Sequence, residues 1–205
     1  MKKNLLSESH ATREKSFEQD KSMKIVIFSQ YFWPETFIIN DVAKAFAKGN
    51  CEVIVITGKP NYPSGVILSG YANPRIQFEM YGKVKIVRLP ILPRGSASKY
   101  MLALNYLSFI TVASLYSCYF ALTRPKIDAI LTFGLSPVFQ VYPASLLSLL
   151  LRKPMALWLQ DLWPDSAIAT GYIQNNLVIK CLNFFVNIAY KRPELIIAQS
   201  PSFIS

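Results

Sequence analysis

The sequence has 205 residues, enough for one large domain or two small ones, and 52% of them are hydrophobic, which excludes an intrinsically disordered chain. The formal net charge is +10, with seventeen basic and eight acidic residues after position 22; an anionic partner and a solvated basic surface would both account for this excess. The sole histidine is His10, and the three cysteines at positions 51, 118 and 181 are far apart, which argues against a zinc site, a disulfide framework and a histidine-based catalytic triad.

The first 22 residues form a polar leader. They lack the apolar core of a secretory signal, and we expect them to be disordered. The run MKIVIFSQ that begins at Met23 has the apolar character of a first strand. The sequence therefore predicts a leader over 1–22 and a folded domain over 23–205.

Six apolar segments predict β-strands that alternate with helices. The segments are residues 24–30, 52–57, 83–89, 129–133, 154–160 and 194–199. Near-continuous apolar runs of this length are typical of parallel strands buried on both faces. Helices are predicted over 39–48, over 138–151 with an interruption at Pro143, and near 175–190, whereas the Pro- and Gly-punctuated stretch 58–80 predicts a long irregular loop. This alternation predicts an α/β fold with a doubly wound, mainly parallel, Rossmann-like sheet.

The segment 100–122 consists of 23 uncharged residues between Lys99 and Arg124, long enough to span a bilayer. Its polar residues recur every three positions and therefore wind round a helix rather than forming one face; they are Asn105, Ser108, Thr111, Ser114 and Ser117. The strands predicted on both sides of this segment favour a helix that is buried in the α/β fold. A transmembrane span is the alternative, and partial contact with the membrane is a third possibility.

Candidate site residues follow the predicted strands, because ligands of an open α/β sheet bind at the carboxyl ends of its strands. The strand-following loops are rich in aromatic, amide and carboxylate groups, which suit the C–H faces and hydroxyls of sugars. The first of these loops, YFWPETF, contains no glycine, and the chain has neither a GxGxxG nor a GxxxxGK[ST] motif, which argues against a dehydrogenase or an NTPase. The candidates are Glu35, Asn40, Asn61, Tyr62, Arg94, Ser136, Gln160, Asp161, Trp163 and Asp165.

Four stretches in order, SQYFWPETFIINDVAKAFAKG, TGKPNYPSG, DLWPDS and SPSF, resemble the N-terminal half of family-4 glycosyltransferases with the GT-B fold. The resemblance covers residues 23–205 and is strongest to bacterial enzymes that build O-antigen, capsule and colanic-acid polysaccharides. It implies one of two Rossmann-like domains that face each other across a cleft. This half would receive the acceptor, while the donor-binding domain, with its pair of glutamates separated by seven residues, is absent from the sequence.

The resemblance also implies a function for the chain. It would be the acceptor-binding half of a retaining enzyme that moves a hexosyl group from a nucleotide sugar to a polyprenyl-diphosphate-linked sugar, inactive without a separate C-terminal donor domain. No metal or other cofactor is implied, and the enzyme would sit in the cytoplasm on the inner face of the cell membrane. Arg88, Arg94, Lys99 and Arg124 surround the segment 100–122 and would meet acidic lipid headgroups or the acceptor diphosphate, with a solvated surface as the alternative.

Within this interpretation, Asp161 is the candidate catalytic residue, a carboxylate that orients the acceptor hydroxyl, and the alternative is that it caps the following turn. Gln160 stands where many family members have histidine, and it can hydrogen-bond a sugar hydroxyl but cannot shuttle a proton. Helix capping is the alternative for Asn40. Two other functions stay open: a non-catalytic remnant or binding module, and a small membrane protein that uses 100–122 as a span. With no arginine-rich arm and no basic run longer than two residues, no nucleic-acid partner is expected.

Overall fold

The computed structural model describes residues 22–96, 98–171, 173–200 and 203, so the leader predicted to be disordered lies outside the described residues except for Ser22. The described strands are β1 Lys24–Phe28, β2 Glu52–Gly58, β3 Gln77–Tyr81, β4 Val84–Leu89, β5 Ala129–Gly134, β6 Met155–Leu159 and β7 Leu195–Ala198. The helices are α1 Ile39–Lys48, α2 Lys99–Leu122, α3 Val141–Leu151, α4 Asp165–Ala169 and α5 Asn176–Ala189, and a 3₁₀ turn over Val138–Gln140 precedes α3.

The strands form one sheet in the order β3-β4-β2-β1-β5-β6-β7. All neighbours are parallel except β3 and β4. Leaving out β3, the parallel strands in chain order run 3-2-1-4-5-6, the arrangement of a doubly wound dinucleotide-type sheet. The order reverses between β1 and β5, whose loops therefore flank the crevice where ligands bind in such sheets. The predicted fold class is confirmed.

Alternate residues of β1 point to opposite faces of the sheet and supply two separate cores. Val26 and Phe28 lie in a core that includes Phe109 and Ala113 of α2, and also residues of α3 and α5. Ile25 and Ile27 lie in a second core whose helical part is Ile39, Ala43 and Ala47 of α1. The helices thus cover both faces, with α1 on one side and α2, α3 and α5 on the other.

Helix α2 packs along one face only, although burial within the fold was the favoured prediction. Phe109 and Ala113 on its inner side have no exposed surface, and the Asn105 side chain donates to the Leu92 carbonyl at 2.6 Å. Only 28% of the most apolar 18-residue segment of this helix is buried, and the side that faces away from the sheet is apolar and exposed. The helix is long and apolar enough to cross a membrane, but it connects β4 to β5 in the same sheet and lies against that sheet.

Two local predictions were wrong. The stretch 58–80 is not irregular throughout, because its end forms β3, which pairs antiparallel with β4. The sequence does not reveal this edge strand, because its burial pattern is the reverse of the usual one. The apolar Phe78 is exposed, while the charged Glu79 is half-buried and pairs at 2.5 Å with the fully buried Arg88.

Pro143 does not interrupt α3, which begins at Val141 and carries the proline in its first turn. The first four N–H groups of a helix have no partner within it, so the missing donor costs nothing there.

Candidate functional site

The loops at the carboxyl edge of the sheet bring together one cluster from the predicted site residues. The Asp161 carboxylate, just after β6, accepts hydrogen bonds from the Ser136 hydroxyl, just after β5, and from the Ser166 hydroxyl in α4, the latter at 2.8 Å. Both serines donate to the same oxygen, Oδ2. In the described residues no backbone N–H donates to this carboxylate; one of its observed partners, Ser136, comes from the loop after β5, and the other, Ser166, belongs to the segment that follows Asp161 itself.

A groove of about 1070 Å³ opens beside this cluster, between α2, α4 and α5. The polar part of its lining includes Ser136, Asp161 and Ser166, where the loops after β5 and β6 meet, and also Lys99, Thr170, Gln174 and Asn175. The walls are mainly apolar and are lined by Leu102, Ala103, Tyr106, Leu107, Ile110, Phe139, Trp163, Ala167, Val178 and Leu182, among others. The Trp163 ring packs edge to face against the Phe139 ring, with 4.9 Å between the ring centroids, and this pair forms part of the groove wall. The groove is therefore amphipathic: its walls are mainly apolar, and they carry one acidic and one basic side chain, Asp161 and Lys99, among a few polar groups.

Glu35 holds the first loop against the second. Its carboxylate accepts three backbone N–H bonds, from Asn61 at 2.8 Å, from Tyr62 at 2.7 Å and from Phe32 at 3.2 Å. The residue is buried, and that burial raises the pKa of its carboxyl group above the ordinary value against the lowering effect of the three N–H donors. With both carboxylate oxygens engaged, the observed role of Glu35 is to join the loops after β1 and β2.

Replacing Glu35 with glutamine is expected to lower the free energy of unfolding by about 1–3 kcal/mol. The amide can still accept from Asn61 and Tyr62, but its NH₂ group would face the Phe32 N–H, so one buried donor loses its acceptor. Because the pKa of Glu35 is raised in the folded state, its contribution to stability is full at acidic pH and declines as pH rises from the ordinary value through the raised one. The difference between wild type and E35Q should narrow over that range.

Urea unfolding at several pH values between ~4 and ~8 measures this difference. Asp41→Asn is the matched control, because it makes the same atomic change at an exposed carboxylate in the first turn of α1. A loss for E35Q no greater than that of D41N would contradict the loop-joining role.

The two predicted asparagines are also engaged within the loops. The buried Asn40 donates to the Glu35 carbonyl at 2.7 Å and accepts from the Trp33 N–H at 3.0 Å, so it neither caps α1 nor has a free amide. Asn61, with no exposed surface, donates to the Lys59 carbonyl and accepts from the Arg94 N–H at 3.1 Å. Their roles as substrate contacts stay predictions; the observed bonds shape the loops.

Tyr62 and Arg94 form an aromatic and cationic corner farther along the same edge. The Arg94 guanidinium lies over the Tyr62 ring at 5.0 Å and over the Tyr31 ring at 5.9 Å. Burial raises the pKa of Tyr31 well above its usual range, and its hydroxyl is hydrogen-bonded to the Asn105 Oδ1 at 3.2 Å. Arg88, expected at a lipid or diphosphate, is instead fully buried and paired, which is a correction to that expectation.

Gln160 and Asp165 are close to Asp161 in the sequence, but neither belongs to the lining of the groove. The Gln160 side chain accepts from Gln199, and its own amide nitrogen is buried without a partner in the described residues. Asp165 is exposed at the start of α4. Burial, assisted by Asp165 and Asp161, raises the pKa of Tyr190, whose buried hydroxyl likewise has no partner among the described residues.

Ser166 and the groove walls other than Trp163 were not predicted as site residues. Ser166 ends the DLWPDS motif, so its place five residues after Asp161 was a usable signal. Leu102, Val178 and Leu182 gave no such signal, because they come from helices whose relative placement is set by packing.

No family model and no curated protein matches the sequence. Among solved structures, the chain is similar to one described as "Trehalose-6-phosphate from E. coli bound with UDP-2-fluoro glucose", with 14% sequence identity and a TM-score of 0.38. The match covers 66% of this chain and 32% of that chain, so this chain spans about a third of the length of the solved structure. At this level the similarity supports no argument about function. The functional argument therefore rests on the site itself.

Proposed function

We propose that this chain is the acceptor-binding half of a glycosyltransferase of the family-4, GT-B type, and that transfer requires a second, donor-binding domain. The observation that carries the proposal is the Asp161 carboxylate, held by two serine hydroxyls at the head of an amphipathic groove and next to the point where the strand order reverses. Ligands of doubly wound sheets bind at this place. The motifs YFWPE, PNYPSG and DLWPDS support the same assignment, since they line this edge.

The chemistry proposed for Asp161 is orientation of an acceptor hydroxyl. With Oδ2 occupied by Ser136 and Ser166, Oδ1 is left to accept a hydrogen bond from the sugar hydroxyl, which directs the lone pair of that hydroxyl toward the anomeric carbon of the donor. In transfer, the bond from the anomeric carbon to the nucleotide diphosphate breaks, the bond to the acceptor oxygen forms, and the hydroxyl proton passes to the oxygen of the departing diphosphate. This chain contributes position and charge to that step.

The groove favours a lipid-linked saccharide as the acceptor. Small-molecule sites usually measure about 300–1,000 Å³ and are mainly apolar with a few placed polar groups. This groove is slightly larger than that range, and its mainly apolar walls carry a few polar groups that include Asp161 and Lys99. A sugar at Asp161 with its attached apolar chain along α2 and α5 would match both the polar and the apolar parts of the lining, as in assembly of O-antigen or capsular polysaccharide on a polyprenyl carrier.

The test is sugar transfer from a panel of nucleotide sugars to a polyprenyl-diphosphate-linked sugar. The chain is assayed alone and mixed with a separately expressed C-terminal half of a GT-B relative, and acceptor binding by the chain alone is measured in parallel. We expect binding by the chain alone and transfer only in the mixture. Binding with no transfer in any mixture would favour a non-catalytic binding module, and absence of both would contradict the acceptor-side assignment.

A further inference from the structure

Strand β3 forms one edge of the sheet, and in the described part of the chain β4 is its sole neighbour. A two-residue turn that begins with Gly82 joins the two strands, and the φ of Gly82 is +60°, which is typical of the first central residue of a type II′ turn. Tyr81 and Val84, on either side of this turn, then form a hydrogen-bonded pair, and alternate residues of β3 bond to β4. The backbone N–H and C=O groups of Phe78 and Met80 therefore point outward, to the open edge.

This open edge lacks two common protections. Lysine and proline often keep edge strands from pairing with other chains, and neither occurs in Gln77–Tyr81. The side chains of Phe78 and Met80 are 72% and 55% exposed, and they lie on the same face because they are two positions apart. Among the described residues, no backbone group outside β4 bonds to the backbone of this strand. The strand thus offers outward backbone groups and an apolar face to a further strand.

Lysines border the opposite face of β3, on the side of α1. The Lys44 ammonium lies over the Tyr81 ring, 4.1 Å from its centre. Lys44, Lys48 and Lys83 line a hollow of about 280 Å³ between α1 and the turn of the hairpin. None of these three lysines forms an ion pair with another described residue. This face of the edge is therefore basic.

The charges distinguish between two occupants of the edge. The antiparallel self-pairing that matches Phe78 with Met80 would place Arg75 of one copy opposite Lys83 of the other, and like charges directly opposite are destabilising. Glu79 offers no compensation, because its carboxylate is already in an ion pair within the chain. A strand with apolar side chains on one face and acidic side chains on the other would instead match both faces of β3.

We propose that β3 binds an extended segment of a partner protein in which apolar and acidic side chains alternate, so that the segment adds a strand to the sheet. Main-chain bonds to Phe78 and Met80 supply affinity, while the apolar face and the lysines of the hollow select the partner. Because side chains alternate along a strand, such a segment places its apolar groups on one face and its carboxylates on the other. Four strands, β4, β2, β1 and β5, separate this edge from the strand that precedes Asp161, and the proposal does not depend on sugar transfer.

Binding of synthetic peptides to the full chain tests the proposal. The probe is a fluorescently labelled peptide of about ten residues in which valine and glutamate alternate, and its binding is followed by fluorescence anisotropy at about 0.1 M salt. One control peptide has the same composition, with all valines in one block and all glutamates in another, so it has no acidic face. A second control alternates valine with lysine. We expect the alternating acidic peptide to bind at least about tenfold more tightly than either control.

Two substitutions at Met80 separate strand pairing from side-chain contact. Met80→Ala keeps the outward N–H and should weaken binding of the acidic peptide by no more than about threefold, whereas Met80→Pro removes that N–H and should weaken it by more than about tenfold. An edge strand tolerates proline where the N–H faces solvent, so both variants should fold, which urea unfolding checks. Lys44→Glu should weaken binding by more than about fivefold, and Lys126→Glu, at an exposed lysine beyond α2, should not.

Hydrogen exchange in the wild-type chain gives a readout that needs no variant. The bound peptide should slow exchange at the Phe78 and Met80 amides, because these N–H groups would become bonded. Four results would overturn the proposal: no binding of the alternating acidic peptide, equal binding of the alternating and block peptides, unchanged exchange at both amides, or equal binding by M80A and M80P. A wild-type dimer in light scattering that M80P converts to monomer would also overturn it, because the occupant would then be a second copy.

Discussion

Replacing Asp161 with asparagine is expected to reduce sugar transfer by about a hundredfold or more, the range typical of a positioned carboxylate at the reacting hydroxyl. The amide keeps the shape of the side chain, but its NH₂ group cannot accept from a hydroxyl and carries no charge to stabilise the departing proton. Two serine hydroxyls donate to Asp161 Oδ2, so the substituted amide must either leave those donors unpaired or turn its nitrogen toward the acceptor. Transfer in the mixture with a donor-binding half measures the rate, and acceptor binding by the chain alone measures the affinity.

Asp165→Asn is the matched control for this experiment. It makes the same change four residues away, at an exposed carboxylate on the first turn of α4, and should alter the rate by no more than about threefold. Acceptor affinity should change by less than about fivefold in D161N, because most of the binding surface is the groove. Equal losses in both variants, or a loss confined to affinity, would show that Asp161 does not act on the reacting hydroxyl.

Replacing Phe109 with alanine is expected to lower the free energy of unfolding by about 3–5 kcal/mol. Phe109 has no exposed surface and packs in the core formed by α2, α3, α5 and one face of the sheet, so its removal leaves a cavity. Leu115→Ala, on the same helix but 67% exposed, should cost about 0.5 kcal/mol or less. Urea unfolding of the two variants measures both values.

The comparison also tests the placement of α2. If the helix were detached from the sheet and inserted across a membrane, Phe109 and Leu115 would be equivalent apolar positions and the two losses would be similar. A large difference supports a helix with one anchored face and one free face.

Much of the fold could be predicted from the sequence because its signals are local. Strong apolar runs located β1, β2, β4, β5, β6 and β7 to within about two residues, and the helix predicted over 39–48 coincides with α1. Ligands of open α/β sheets bind at the carboxyl ends of the strands, and this rule led to Asp161 and Ser136, which directly follow two of the predicted strands. Strand β3 escaped because its exposed Phe78 and half-buried Glu79 reverse the usual pattern, and that reversal depends on a buried arginine in the neighbouring strand.

The sequence by itself determined the α/β class, the described strands except β3, and the presence of a carboxylate at the end of β6. The tertiary structure alone decided which candidates hold the loops together and which face the groove. Glu35 and Asn61 look as suitable for a sugar as Asp161 does, yet they are buried and bonded to backbone groups 26 or more residues away. It also decided which side of α2 is free, since α2 is apolar all round and no periodicity marks its inner face. In both cases the deciding contacts join segments that are far apart in the chain, and such contacts cannot be predicted from local sequence patterns.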